Sequence, residues 1–345
     1  MSKVILGTGS YLPEWCIDND ELESMVLDFD RVRSGSSLHE WAMKRAGVAE
    51  RHRVRSGEGN VHLATNAARR ALDNAGLAPE DIDLLVLSTF TSDYRLPSTV
   101  SLFQAELGIT AKCFQLEAAC AGFIDATITA SALMDTGRYH RALVVHTEVM
   151  SSLTDPERFL EQTVFGDGSG AVVLANLPDS DYGIKASTTH TDGSIAHYTW
   201  VPMGGTLAPI TAEVLRDRSQ YTRLRHKEIY NLAVEKFVEV TREVVALADA
   251  SIDDIDWWIP HQTGQNIIDD ASRGLGIPSE RVQVCIDHTG NTSGATVPIA
   301  LDEANRRGDL AHGSRLVLSA VGGGMAWGAL YLVWADPATL RAEVA

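Results

Sequence analysis

The sequence predicts an α/β protein built from two similar halves packed in layers. Three echoes, met in the same order along the chain, carry that reading. ALDNAGLAPEDIDLLVLS at residues 71–88 returns as ALADASIDDIDWWIPH at 246–261, and FGDGSGAVVL at 165–174 returns as VGGGMAWGALYL at 321–332. A segment of small and apolar residues closing at Gly137 is matched by a second one closing at Gly308. Ordered self-similarity is the signature of an internally repeated architecture. A chain of 345 residues holds two such units, expected at 1–176 and 184–345 with the join near 177–183.

The elements of the first half follow in order. Residues 4–9 form a short strand ending in a glycine turn, and the acidic stretch 18–23 opens a helix. Residues 37–47 carry Trp41, Lys44 and Arg45. Leu63, Ala67, Ala68 and Leu72 recur at helical spacing over 61–76. Apolar, β-branched residues 83–89 make a strand, 91–97 a loop carrying Leu96, and 98–107 another helix. An extended run at 112–118 then leads to Cys120, and a helix apolar on every face, hence buried, runs to the stop at Gly137. A strand at 142–147 and a glycine-rich turn at 165–170 close the half.

Cys120 falls on the turn from strand to helix. Unpaired N–H groups and the dipole at the start of that helix are expected to favour thiolate over thiol. Ala119, Ala121 and Gly122 leave room around the sulfur. Counting back from Gly137 and Gly308 places Asn291 where Cys120 stands in the first half. If equivalent turns meet about a pseudo-twofold axis, Cys120 and Asn291 face one another, and His261, ending the strand 256–260, joins them. His146 and His288 flank the same turns and are the rival histidines.

Composition bounds the function. A net charge of −17 disfavours a nucleic-acid partner. Cys16, Cys113, Cys120 and Cys285 contain no CxxC pair, so neither a disulfide framework nor a metal site is expected. No basic-then-apolar leader and no membrane-length apolar run stand in the sequence, which makes a reducing cytoplasm the expected compartment. The glycine turns are not nucleotide fingerprints: Gly7-x-Gly9 lacks the rest of the motif, and 166–170 enters a strand.

Six motifs together resemble the type III β-ketoacyl-acyl-carrier-protein synthases of the thiolase superfamily. They are GTGSYLPE at 7–14, EAACAGF at 117–123, FGDGSGA at 165–171, PHQ at 260–262, GNTSGA at 290–295 and GGGMAWG at 322–328. Asn291 in GNTS separates this pattern from the Cys-His-His set of elongating synthases. The resemblance implies a thiolase-like duplicated αβαβα fold and a catalytic set of Cys120, His261 and Asn291. Cys120 would take an acyl group from a thioester, with the backbone N–H groups of Cys120 and Gly323 as oxyanion hole. Loss of carbon dioxide from a malonyl thioester, beside His261 and Asn291, would give the enolate that attacks the acyl group. No cofactor or metal is implied beyond a coenzyme A thioester as substrate.

The resemblance further implies that Trp41 and Arg45 meet the adenine end of coenzyme A, that Arg158 stands at the same mouth, and that the loop holding Leu96 crosses from a partner subunit to floor the acyl pocket. Two departures stand out. Thr263-Gly264 replaces Ala-Asn after PHQ, and Arg158 is displaced by one residue. They leave a second reaction open, acyl transfer from Cys120 to a hydroxyl or amine; a catalytically silent assembly partner is a third reading. Partners implied are acyl-CoA, an acyl carrier protein and a second copy of the chain. Arg216, Arg218, Arg223, Arg225 and Lys227 form one basic cluster in an acidic chain, an expected landing site for an acidic carrier.

Overall fold

The structure is a computed structural model that describes residues 2–178 and 180–344. Nine strands form its two main sheets: β1 (Ser2–Tyr11), β2 (Leu84–Ser88), β3 (Lys112–Leu116), β4 (Arg141–Val149), β5 (Asp167–Leu177), β6 (Gly183–Thr191), β7 (Trp257–Pro260), β8 (Arg315–Gly322) and β9 (Ala326–Val333). The first sheet has the order β1-β5-β4-β2-β3 and the second β7-β8-β9-β6. In each, two antiparallel pairings are followed by a parallel one. The order of pairings matches if β6 stands for β1, β9 for β5, β8 for β4 and β7 for β2. The counterpart of β3 is reduced to a single parallel bridge between Trp258 and Val282.

Five layers follow from which faces are apolar. Helices Asn60–Ala75 and Thr99–Leu107 cover one face of the first sheet, and His226–Leu247 with Gln265–Leu275 covers the outer face of the second. Between the sheets lie Gly122–Asp135 and Thr296–Arg307, each touching strands of both sheets. One core therefore runs through both halves, with Ile124, Ala130, Val144, Ile299 and Leu318 all essentially inaccessible. Cutting Ile124 back to alanine would cost roughly 2–5 kcal/mol, because nothing around it can collapse into the space.

Two expectations change in the structure. The stretch 165–170 is not wholly a turn, since β5 begins at Asp167. Its glycines serve close packing: a Cβ on Gly170 would stand 2.7 Å from Pro298 Cγ of the central helix. The symmetry count also shifts. The central helices differ by two residues in length, and each follows a 3₁₀ turn, Ala119–Ala121 or Ser293–Ala295. Both turns open on a left-handed residue, Ala119 with φ 44° and Ser293 with φ 57°. Aligned by those turns, Cys120 corresponds to Gly294, and Asn291 lies three residues earlier than counting from the terminal glycines implies.

Candidate active site

Cys120 rides on the 3₁₀ turn between β3 and the first central helix, half-buried in the wall of a cavity of ≈ 1040 Å³. The same cavity is lined by His261, Asn291, Gly323, Trp41 and Arg45, so five sequence-predicted positions besides Cys120 come together. Gly322 brings the loop between β8 and β9 close behind the cysteine. A Cβ there would sit 2.7 Å from Cys120 N and 3.0 Å from Ala121 N, an approach only glycine permits. The N–H of Gly323 reaches the sulfur itself.

The thiol differs from its expected state. Burial pushes Cys120 up to about 11, and Glu148 adds to the push; hydrogen bonds from Ser293 and from the Gly323 N–H pull the other way. Desolvation of the charged form outweighs the helix start at this cavity wall. Ser293 Oγ donates to Cys120 Sγ at 3.3 Å. Ser293 is a partner the sequence reading did not assign. Only its position next to the symmetry-related turn hints at it, and the left-handed backbone that aims it is not readable from a serine.

His261 follows the end of β7, and its backbone N–H donates to Ser319 O at 2.8 Å. Its Nδ1 lies 2.6 Å from Thr296 Oγ1, which already accepts the Gln262 N–H at 3.1 Å. Among the described residues the threonine hydroxyl has no other acceptor, so its hydrogen is assigned to Nδ1, which places the ring proton on Nε2. Burial, with a smaller push from His146, lowers His261 to about 3. The ring is neutral and offers a donor.

Asn291 is clamped by its backbone. Its N–H donates to Val164 O at 2.8 Å, and its carbonyl accepts the Gly166 N–H at 3.1 Å. Asn291 Oδ1 accepts the Ser293 N–H at 2.8 Å, so the amide NH₂ is the end left for the cavity. Beneath this turn the buried Arg51 donates to Ile17 O and Thr163 O at 2.9 and 3.0 Å. A neutral imidazole N–H and an amide N–H on one wall make a donor pair suited to an oxygen that gains negative charge.

The rival histidines separate cleanly. His288 is held between Asp287 and Glu303, which raise it to about 10, and it does not line the cavity. His146 is fully buried behind Cys120.

The outer residues are more scattered. Trp41 stacks edge-on against Phe159 at 5.0 Å, while Asn266 Nδ2 donates to Lys44 O and Arg45 O at 3.2 and 3.0 Å, fixing that helix over the cavity mouth. Thr263 and Gly264 line the cavity too. Arg158 does not; it pairs with Asp28 at 3.8 Å. Leu96 is 88% exposed and outside the cavity of its own chain. Within the basic cluster, Arg218 is committed to Asp155 and Glu157, Arg223 donates to Arg218 O, and Arg225 lies over the Tyr198 ring. Arg218 therefore drops out of any docking face. Among the described residues one group of metal-ligating type converges, Cys16, Glu50 and His52, on the two-stranded sheet of Trp15–Asp18 and Glu50–Arg53 outside the cavity.

A duplicated five-layer fold with a cysteine on its central turn, facing a histidine and an asparagine, is the architecture of the thiolase-like acyltransferases. Family models described as 3-oxoacyl-[acyl-carrier-protein] synthase III and its C-terminal part match residues 114–193 and 245–334. A β-ketoacyl-[acyl-carrier-protein] synthase III of Rhizorhabdus wittichii is 39% identical over 327 residues, covering 94% of this chain and 97% of that protein. The 3-oxoacyl-[acyl-carrier-protein] synthase III of Aquifex aeolicus superposes with a TM-score of 0.86 at 35% identity, over 96% of this chain and 100% of that one. The priming β-ketosynthase of the R1128 polyketide pathway gives 0.86 at 30%, over 97% of each. The chain belongs to the 3-oxoacyl-[acyl-carrier-protein] synthase III family, and it is an acyltransferase.

Proposed function

We propose that the protein joins an acyl group, taken from a coenzyme A thioester onto Cys120, to a malonyl thioester by decarboxylative Claisen condensation. Sulfur attack on the donor carbonyl forms the acyl-cysteine and expels the coenzyme A thiol. The tetrahedral oxyanion is received by the N–H groups of Cys120 and Gly323. The malonyl group then binds with its thioester oxygen against His261 Nε2–H and the Asn291 amide. Its C–C bond to the carboxylate breaks, carbon dioxide leaves, and the electron pair becomes the enolate. The enolate carbon attacks the acyl carbon, and Cys120 leaves as the sulfur anion.

The observation that carries this reading is the donor pair that lines one cavity with the sulfur. Burial keeps His261 neutral, and Ser293 occupies the asparagine's oxygen, so both residues offer hydrogens and neither offers a base. Trp41 and Arg45 at the mouth fit a nucleotide-bearing donor by stacking and charge. Arg216, Arg223, Arg225 and Lys227 are the proposed landing site for an acidic carrier protein. The half-exposed strand β3, at the open edge of its sheet, and the exposed Leu96 support a homodimer in which that edge pairs with a second copy. No helix among the described residues is long and apolar enough to cross a membrane. Four unpaired cysteines fit a reducing cytoplasm. Membership of a fatty-acid or a polyketide pathway depends on the acyl group loaded.

The test is product analysis with acyl-CoA and malonyl carrier protein. Release of carbon dioxide with a β-ketoacyl product is the expected outcome. Acyl-Cys120 consumed only by a hydroxyl or amine, with malonyl intact, would make it a plain acyl transfer.

A further inference from the structure

His146 stands directly behind the site, and no step above uses it. Its side chain and that of Glu148 are both fully buried, two residues apart and so on one face of β4. Glu148 accepts from the N–H groups of Phe90 and Thr91, each at 3.1 Å, and from the hydroxyls of Thr89 and Thr91. His146 Nε2 lies 3.2 Å from Glu148 Oε1 and completes that ring of donors by giving its Nε2–H. Nδ1 has no hydrogen-bond partner, nor has the buried Ser88 hydroxyl beside Gly122.

The imidazole is wedged between the two turns that carry Cys120 and Ser293. A Cβ on Gly122 would stand 2.8 Å from His146 Cε1, and one on Gly294 only 2.3 Å from the same atom. Gly122 follows Cys120 by two residues and Gly294 follows Ser293 by one, so the ring spaces the turns across which Ser293 Oγ meets Cys120 Sγ. The titratable groups around it are Glu148 on its own strand, Cys120 on the turn above and His261 at the rim of the other sheet. Charge on Glu148 opposes the thiolate of Cys120.

We propose that His146 is a positioning residue for the loading of Cys120: held by Glu148, its ring sets the spacing of the Cys120 and Ser293 turns, and its Nε2–H compensates the buried carboxylate behind the sulfur. This rests on Cys120 being the acylated nucleophile, but its test does not need an acyl donor.

The experiment measures iodoacetamide alkylation of Cys120, resolved by peptide mass spectrometry, from about pH 6 to about pH 10, across the ordinary thiol range. His146→Ala should slow alkylation by about tenfold at each pH of that range, the rate change to which one pH unit on the thiol corresponds. His146→Gln, whose amide can still donate to Glu148, should stay within a few-fold of wild type. Adding Glu148→Gln to His146→Ala should restore part of the rate, because the uncompensated carboxylate is gone. Alkylation of His146→Ala at the wild-type rate, or a double variant no faster than His146→Ala, would overturn the proposal. Should His146→Ala not fold, Glu148→Gln alone decides: faster alkylation at neutral pH supports the compensation, and an unchanged or slower rate refutes it. Failure of wild-type Cys120 to take an acyl group would instead strike the reading beneath it.

Discussion

Replacing His261 by alanine separates the two halves of the reaction. The side chain is neutral and buried, fixed by Thr296 at 2.6 Å, and its free Nε2–H is one of two donors facing the cavity. Loading of Cys120 is proposed to use the backbone N–H groups of Cys120 and Gly323 instead, the second of which favours the charged form of the sulfur. Loss of one preorganised donor to a developing oxyanion costs ~3 kcal/mol, which is about two powers of ten in rate. His261→Ala should therefore keep its rate of acyl-enzyme formation within a few-fold while condensation falls by ~10²-fold or more. The assay pairs intact-mass spectrometry of the acyl-enzyme with single-turnover measurement of the β-ketoacyl product. Equal loss in both steps would refute the division of labour and make His261 the base that activates the sulfur.

Three further outcomes follow from the same geometry. Ser293→Ala removes the hydroxyl that donates to Cys120 Sγ and should slow alkylation of that cysteine at neutral pH by roughly 5–10-fold, the worth of about 1 kcal/mol for one hydrogen bond. Acid should destabilise the fold through His261. Its folded-state value is lowered to about 3, so the unfolded chain takes the proton first, and stability present above about 6.5 is lost as pH falls toward 3. Melting curves of His261→Gln should show a shallower decline over that window than wild type; identical slopes would show that His261 is not the group responsible. Charge reversal of Arg223 and Arg225 to Glu should weaken turnover of carrier-bound substrate, less so at high salt, while a free thioester is turned over normally. Equal loss with both substrates would point to damage in the pocket.

The duplicated fold was legible because repetition leaves paired marks in sequence: two echoes fall on strands of both sheets and the third on the central helices between them. Cys120 and His261 were read for a local reason: each follows the end of a strand, Cys120 among the small residues Ala119, Ala121 and Gly122, and the structure puts both on one cavity. Asn291 was found by a count that proved three residues out, because the first central helix is two residues longer and Thr136 adds one more before Gly137, and sequence alone does not tell which end to align. The thiol's state was misread for a different reason. A helix start is visible in sequence, but the close approach of Gly322 that helps bury the sulfur and the charge of Glu148 that adds to the push both come from more than 25 positions away in the chain. Arg218 looked like part of a basic face because Asp155 and Glu157, which neutralise it, are distant in sequence.

The most direct measurement is peptide mapping by mass spectrometry after brief exposure to acyl-CoA, on wild type and Cys120→Ala side by side. The proposed chemistry predicts one acyl group per chain, carried by the peptide containing Cys120. It predicts none on Cys16, Cys113 or Cys285, and none anywhere in the variant. An acyl group that persists in Cys120→Ala, or that maps to another cysteine in the wild type, would contradict it.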